Sequence, residues 1–255
     1  MPCLATSCAE RPTPTRRPKP KDIKVLLQLK RYLNAWSRHH RSGGFGIHSP
    51  YAYQFVRNVW RQRLPYYAYD DIHELHSLCR DIIKSRGMQV DQISEREAKL
   101  LFRVTNHFNP LHLLQTGTAT GLESATLVSV NSNSHLYVAD HAIENNELAA
   151  AVLQRLKNRV DCYDNPSIAV DEMLSGRGAN EPALALLNIP TDEAARLLDA
   201  GVVVVMRNLH RDKAMQKLFD DCCCLMTAGQ TYTNNKIAIL NPNPKLQRED
   251  FLLWL

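Results

Sequence analysis

The stretch that most constrains the fold is Leu-His-Leu-Leu-Gln-Thr-Gly-Thr-Ala-Thr-Gly at residues 111–121, followed by a helical pattern over 122–130. An apolar strand that ends in a glycine-bracketed turn is how an α/β domain builds a cradle for a nucleotide or cofactor. Gly117 allows the backbone to approach a ligand closely, and Gly121 allows the next helix to pack tightly on the strand. The spacing is GxxxG, so the GxGxxG fingerprint of dinucleotide-binding domains is absent.

A second predicted strand, at 135–139, ends in Asp140, roughly 20 residues after the glycine turn. A carboxylate at that position accepts hydrogen bonds from a ribose diol in nucleotide-binding folds. The alternative is a tight turn with no ligand, because any turn between a strand and a helix favours glycine. Asp140 favours the ligand-binding interpretation.

The chain after residue 111 alternates predicted strands with predicted helices. The strands are predicted at 111–115, 135–139, 159–163, 183–189 and 201–206, and the helices at 122–130, 144–158, 191–199 and 211–223. The end is predicted to form two strands, at 231–240 and 250–255. Repeated βα units imply a parallel sheet covered by helices on both faces, and the closing pair implies an antiparallel C-terminal edge.

The region before the glycine turn is predicted to be a helical extension behind a tail. Residues 1–21 are rich in proline and basic residues and are expected to be disordered, residues 22–93 form the N-terminal helical region, and residues 94–255 form the Rossmann-like domain. Helices are predicted at 22–36, 51–61, 71–86 and 94–108, the last beginning with a capping box.

Charge and composition limit the choice of partners. Of the 31 Lys and Arg residues, ten lie within 11–41, where Asp22 is the single acidic residue. Nucleic acid is therefore a possible partner through this segment and not through the rest of the chain, but it is not favoured, because a solvated basic face over a packed apolar stripe also explains the pattern. The sequence holds no apolar run of the roughly 20 residues that a membrane helix needs and no secretory signal, so a cytoplasmic location is expected.

The cysteines and histidines predict no metal site. The seven cysteines show no disulfide framework, and reduced thiols are expected. His73, His76 and Cys79 follow one another at three-residue intervals, but no second cluster supplies further ligands.

With these elements in place, the sequence resembles class I S-adenosylmethionine (SAM)-dependent methyltransferases, whose fold has seven strands. Residues 115–125 resemble the first motif of catechol-type O-methyltransferases, E-x-G-T-x-x-G-x-S. The chain from about residue 22 resembles more closely a group of bacterial methyltransferases typical of Bacteroidetes. The marks of that group are G-I-H-S-P at 46–50, L-L-F-R-x-x-N-x-F at 100–108 and E-D-F-x-L at 249–253.

The resemblance implies SAM, or its product S-adenosylhomocysteine (SAH), as the cofactor and assigns residues to it. The cofactor-binding residues that it implies are Gln115, Gly117, Thr118, Gly121, Asp140, Asp164, Asn165 and Asn188. In these assignments Asp140 holds the ribose, and Asp164 or Asn165 lies by the adenine. His48, Arg207 and Asn208 are expected to line the substrate pocket, with His210 as the candidate catalytic base.

The sequence departs from the family pattern at three strand ends. Gln115 replaces an acidic residue after the first strand, and Asn188 replaces the aspartate of an I-D-A-type motif after the fourth. Arg207 and Asn208 replace two acidic residues of a D-D-I-H-W-S-K segment after the fifth. Because Mg²⁺ prefers charged oxygen ligands and a guanidinium stands in their place, no metal is expected.

Several functions remain open on the sequence alone. The first is a metal-independent methyltransferase that acts on a small molecule, and the second is a catalytically degenerate protein of the same fold that serves as a binding or scaffold module. RNA methylation through 11–41 is a third, and a nicotinamide oxidoreductase is disfavoured because GxGxxG is absent. The acceptor and the oligomeric state are not encoded in any motif of the sequence.

Overall fold

The computed structural model describes residues 46–141 and 146–255, which belong to one compact unit spanning Arg38–Leu255. The predicted tail 1–21, the predicted helix 22–36 and the whole of the basic segment 11–41, which suggested RNA, lie outside the described residues. Among the described residues, no helix is both long enough and apolar enough to cross a bilayer.

One eight-stranded mixed sheet forms the centre of the fold, with strand order β3-β2-β1-β4-β5-β7-β6-β8. The strands are β1 His112–Thr116, β2 His135–Ala139, β3 Val160–Tyr163, β4 Ala183–Leu187, β5 Val203–Met206, β6 Gln230–Thr233, β7 Ala238–Asn241 and β8 Glu249–Leu252. β1 to β5 are mutually parallel, and β7 is antiparallel to β5 and to β6. The Rossmann-like α/β fold is as predicted.

The C-terminal strands correct the prediction in number and pairing. The predicted strand 231–240 is a hairpin of two strands, because Asn235 adopts a left-handed φ of 68° and turns the chain. The antiparallel pair is therefore β6 with β7, whereas β8 pairs parallel to β6. The sheet has eight strands where seven are predicted.

Eight α-helices occur in the described ranges and cover the sheet. They are α1 Pro50–Phe55, α2 Ala68–Arg86, α3 Glu95–Phe108, α4 Leu122–Val128, α5 Glu147–Arg155, α6 Pro166–Gly176, α7 Ala194–Asp199 and α8 Lys213–Leu225. A π-helical turn at Val56–Trp60 continues α1. The capping box predicted for α3 is present: the Ser94 hydroxyl accepts from the Glu97 amide, and the Glu97 carboxylate accepts from the Ser94 amide.

α6 is a helix that the sequence reasoning missed between the third and fourth strands. Asn165 caps it by accepting a hydrogen bond from the Ser167 amide, and Pro166 occupies its first turn. Both are ordinary helix-start residues, but Asn165 was expected to contact adenine instead.

Two apolar layers enclose the sheet. On one face Leu113, Val205 and Ile239 pack with α1, α3 and α4, and on the other Leu114 and Met206 pack with α6, α7 and α8. Every residue of β4 and β5 is buried because helices cover both faces of the sheet, and this explains why the sequence of these two strands is almost continuously apolar. Aromatic side chains add to the first layer, where the centre of the Phe55 ring lies 4.3 Å from that of the Tyr232 ring.

Strand direction defines two edges of the sheet. β6 and β8 run in the same direction as β1, β4 and β5, since β7 alone is reversed among the last strands. The segments that follow β1, β2, β4, β5, β6 and β8 therefore all lie at one edge, called here the carboxyl edge. In open α/β sheets ligands bind outside this edge.

Candidate functional site

The glycine turn lies at the carboxyl edge between β1 and α4. Gly117 has a φ of 74°, and its amide donates a 2.9 Å hydrogen bond to the carbonyl oxygen of Ala139 at the end of β2. A Cβ at this position would stand 3.2 Å from Cγ2 of Ile189, which follows β4. Any other residue would therefore be strained and would crowd the opening between β1 and β4.

Asp140 comes directly after β2 and contacts the turn. Its Oδ2 accepts hydrogen bonds from the Thr118 amide at 2.7 Å and from the Thr118 hydroxyl at 2.5 Å. The Asp140 amide donates to the Tyr163 carbonyl, so the ends of β2 and β3 are adjacent. The structure thus brings together Gly117, Thr118 and Asp140, the residues that the cofactor assignment places around one ligand.

Gly121 has a packing role in this structure. Its φ is 78°, and a Cβ there would lie 2.9 Å from the Val152 Cβ and 3.3 Å from the Ala149 Cα, both on α5. The expectation was that this glycine would let α4 pack on the strand. The close neighbour is instead the helix that follows β2, so the residue fixes the spacing between α4 and α5.

Gln115 is buried and faces the protein. Its Nε2 donates to the Gly117 carbonyl at 2.9 Å, and its Oε1 accepts from the Ser124 hydroxyl at 2.7 Å. The Gly117 carbonyl accepts a second hydrogen bond, at 2.7 Å, from Nδ2 of Asn188 after β4. Gln115 and Asn188 therefore brace the turn through amide donors, which an acidic residue at either position would not supply.

A buried ion pair lies next to the turn. Arg207, which follows β5 and is 4% exposed, donates from Nη1 to Glu123 Oε1 at 2.6 Å and to Asn188 Oδ1 at 2.9 Å. Its Nη2 lies 3.5 Å from Asp91 Oδ2, and Arg211 donates to the other Asp91 oxygen at 2.6 Å. Arg207 is thus a structural cation that joins α4, β4 and the segment before α3.

The Glu123 carboxylate is only half satisfied. Its side chain is fully buried, and its Oε2 has no hydrogen-bond partner. Burial raises the pKa of the Glu123 carboxyl, and the Arg207 guanidinium opposes that rise. Burial of this pair costs desolvation free energy for both charged groups, and Arg207 supplies the positive charge that balances the Glu123 carboxylate.

A cavity of about 130 Å³ opens beside this pair at the carboxyl edge. Its lining residues are Asp91, Gln92, Ser94, Glu97, Arg207, Asn208, His210, Arg211 and Lys236. His210 is exposed and lines the cavity, and Asn208 adopts a left-handed φ of 64° in the loop after β5. Three of the predicted pocket and catalytic residues therefore share one polar cavity.

Three other predicted site residues lie elsewhere or have other roles. Asp164 and Asn165 are exposed at the end of β3, where Asn165 is the N-cap of α6. His48 precedes Ser49, whose hydroxyl accepts from Gln230 Nε2 at 3.0 Å. Gln230 begins β6, so His48 lies toward the opposite edge of the sheet from His210, and it is not among the residues that line the polar cavity.

The described residues contain no group of three or more His, Cys, Asp or Glu side chains arranged to hold a metal ion. His73 pairs with Glu95 at 3.0 Å on the surface, and Cys79 is buried. At the ends of β4 and β5 the candidate ligands are two asparagines and a guanidinium, and the guanidinium disfavours a cation there.

Sequence reasoning missed Glu123 and Asp91 as members of the site. Glu123 lies in the first turn of α4, where an acidic residue is ordinarily explained by the helix dipole. Asp91 lies in the segment between α2 and α3. The available clue was charge: a basic residue at a buried strand end requires a buried acid nearby.

No family model and no curated protein matches the sequence. Among solved structures, the fold is similar to a Staphylococcus aureus protein provisionally assigned as a caffeoyl-CoA O-methyltransferase, with a TM-score of 0.50 and 12% identity over 67% of this chain and 95% of that one. It is also similar to a Bacillus cereus O-methyltransferase in complex with SAH, with a TM-score of 0.49 and 14% identity over 74% of this chain and 96% of that one. At 12% identity the likeness to the Staphylococcus aureus protein shows a shared fold alone, and the grouping with the Bacteroidetes methyltransferases stays a prediction.

Proposed function

We propose that this protein, which has the Rossmann-like fold of the methyltransferases, is a SAM-dependent methyltransferase that acts on a small-molecule acceptor without a metal ion. The observation that supports this best is the contact between the Gly117–Gly121 turn and Asp140 at the carboxyl edge. It joins a backbone cradle to a ribose-binding carboxylate at the place where this fold binds ligands.

The residues of the turn fit the proposed cofactor. The missing side chain of Gly117 keeps open a space that a Cβ would fill, and the Asp140 carboxylate is held beside the turn by the Thr118 amide and hydroxyl. Bound SAM supplies a methyl group already activated by the sulfonium. The protein has then mainly to align the acceptor with that methyl group and to exclude water.

The acceptor side is the polar cavity after β5. Its volume of about 130 Å³ accommodates the reacting group of an acceptor. His210 is the candidate base, since an exposed imidazole at the cavity wall can accept the proton of a hydroxyl or amine nucleophile. Arg207 cannot serve as a base because guanidinium stays protonated.

Release of SAH from SAM in the presence of an acceptor panel tests the activity. We expect turnover that is unchanged by EDTA and is lowered roughly 10²-fold or more in His210→Ala. His73→Ala, which removes an exposed histidine on α2, is the matched control and should turn over normally. Turnover that requires added Mg²⁺ would contradict the metal-independent mechanism.

The second candidate is a non-catalytic binding protein of the same fold. It is favoured by the internal pairing of the turn: the Gly117 carbonyl already accepts two amide donors, and the Thr118 amide is already bonded to Asp140. On this account SAM or SAH binds, but no acceptor in the panel releases SAH. Any acceptor-dependent SAH release rules this candidate out.

A further inference from the structure

A second and larger cavity lies apart from the polar cavity beside Arg207. Its volume is about 480 Å³, and it shares no lining residue with that cavity. It is bounded by the segment after the π-helical turn, by the first half of α3 and by the residues that follow β8. Its lining residues include five basic side chains and one indole, those of Arg61, Arg63, Arg96, Lys99, Arg103 and Trp254.

The wall of this cavity is strongly cationic. The structure gives no ion pair to Arg61, Arg63, Arg96 or Arg103 within the ranges it describes, and no Asp or Glu side chain of those ranges lines the cavity. Glu97 lines an adjoining cavity together with Arg96 and Trp254. Lys99 alone is paired, with Glu95 at 2.5 Å. Four guanidinium groups around one opening leave a positive field that an anionic ligand would balance.

Arg103 shows that the charge is built into the fold. Its side chain is 7% exposed, and every partner is neutral: the Val59 carbonyl at 2.6 Å, the Trp60 carbonyl at 3.1 Å and the Tyr69 hydroxyl at 2.9 Å. These bonds use three of the five N–H donors of the guanidinium. A cation this deeply buried without a carboxylate is costly, so its charge calls for an anion in the cavity.

Aromatic surface lies beside the cations. Trp254 is 47% exposed and is one of the residues that line the cavity, and its backbone carbonyl accepts from the indole N–H of the buried Trp60 at 2.9 Å. That bond fixes the segment after β8 against α1 and its π-helical turn. An exposed indole held in this way is a surface on which a planar base can stack.

We propose that this cavity binds a nucleotide, with its phosphates on the arginines and its base on Trp254. Guanidinium groups bind phosphate oxygens in pairs of parallel hydrogen bonds, and four arginines exceed what a single carboxylate ligand requires. A volume of about 480 Å³ lies within the range of sites for small ligands and cofactors. The proposal is independent of the methyltransferase assignment, because the two cavities share no residue.

The test is calorimetric titration of the full chain with ADP at a constant, moderate salt concentration. One series is run without SAH and the other with saturating SAH. SAH blocks any binding of ADP to the cradle after β1, so the binding that persists belongs to the second cavity. We expect ADP to bind with or without SAH and adenosine to bind at least tenfold more weakly, because adenosine lacks the phosphates.

Two pairs of variants localise the binding. Arg61→Glu combined with Arg96→Glu should weaken ADP binding by tenfold or more, while Arg80→Glu, an exposed charge reversal on α2, should leave it unchanged. Trp254→Ala should weaken it about tenfold, while Trp254→Phe should retain most of it because a ring remains. These replacements avoid Arg103, and circular dichroism with thermal unfolding checks that each variant is folded.

Three outcomes would overturn the proposal. The first is no ADP binding at 1 mM in about 0.1 M salt, where the screening length of about 10 Å leaves contacts at the cavity intact. The second is equal binding by the Arg61→Glu, Arg96→Glu variant. The third is binding of tripolyphosphate as tight as that of ADP, with the same arginine dependence and with no loss of ADP affinity in Trp254→Ala, which would identify a polyanion site without a nucleotide pocket.

Discussion

Arg207→Met is the variant that most sharply tests the buried ion pair. The change removes hydrogen bonds of 2.6 Å to Glu123 and 2.9 Å to Asn188 and leaves a fully buried carboxyl group without its cation. Removing one partner of a buried pair costs about 3–5 kcal/mol of stability. Methionine occupies much of the volume of the arginine stem, so the loss comes mainly from the charge.

The loss should depend on pH. Burial already raises the pKa of Glu123 above its ordinary value of 4.5, and without Arg207 the largest influence that opposes this rise is lost. When the pKa of a carboxyl group is higher in the folded protein than in the unfolded chain, its contribution to stability is complete at pH values below the unfolded-state pKa. That contribution is lost as the pH rises toward the folded-state pKa, because the unfolded chain then releases the proton more readily. The deficit of Arg207→Met should therefore grow from pH 5 to pH 8, by up to about 1.4 kcal/mol per pH unit until the folded pKa is reached.

Urea unfolding followed by tryptophan fluorescence at pH 5 and pH 8 measures this deficit. Arg86→Met is the control, since Arg86 forms an exposed pair with Glu147 and such pairs contribute little. The double variant Glu123→Met, Arg207→Met should recover most of the lost stability, because it leaves no unpaired buried charge. An Arg207→Met protein as stable as the wild type, or one whose deficit is the same at both pH values, would refute the reasoning.

Three further predictions concern packing, capping and thiol reactivity. Gly121→Ala should unfold at a urea concentration well below that of Gly87→Ala, because both glycines have positive φ but only at Gly121 would the new Cβ meet another side chain, at 2.9 Å. Equal midpoints would show that the α5 contact does not matter. Ser94→Ala should lower the stability of the protein by about 1 kcal/mol through loss of the capping box, as measured in the same assay. Burial raises the pKa of Cys223 to about 12, so mass spectrometry after brief alkylation at pH 8 should find the exposed Cys224 labelled first; faster labelling of Cys223 would contradict the burial of that thiol.

Local sequence rules predicted the elements whose causes are local. β2 and the capped start of α3 match because alternation, capping residues and a breaker lie within a few positions of each other. The same rules were available for the missed helix α6 at Asn165 and Pro166, and for the turn at Asn235 that divides the predicted strand 231–240. Those errors came from assigning another role to a turn residue or a cap residue.

The site itself was only partly predictable. Strand ends and glycines located the turn and Asp140, because the carboxyl ends of parallel strands must share one edge. The orientation of Gln115 toward Ser124 and the pairing of Arg207 with Glu123, 84 positions apart in the chain, depend on packing between elements. No spacing rule relates residues so far apart, and none relates His48 to the start of β6, near which it lies.

The central claim is that the Gly117–Gly121 turn and Asp140 form a SAM site, and calorimetric titration with SAH tests it most directly. We predict that the wild-type protein binds SAH, that Asp140→Asn weakens binding by about tenfold or more because the charge-assisted acceptor is lost, and that Asp161→Asn has no effect. Asp161 is the control because it pairs with His135 at the surface, away from the turn. Absence of SAH binding at millimolar ligand, or equal affinity in the Asp140→Asn variant, would contradict the account.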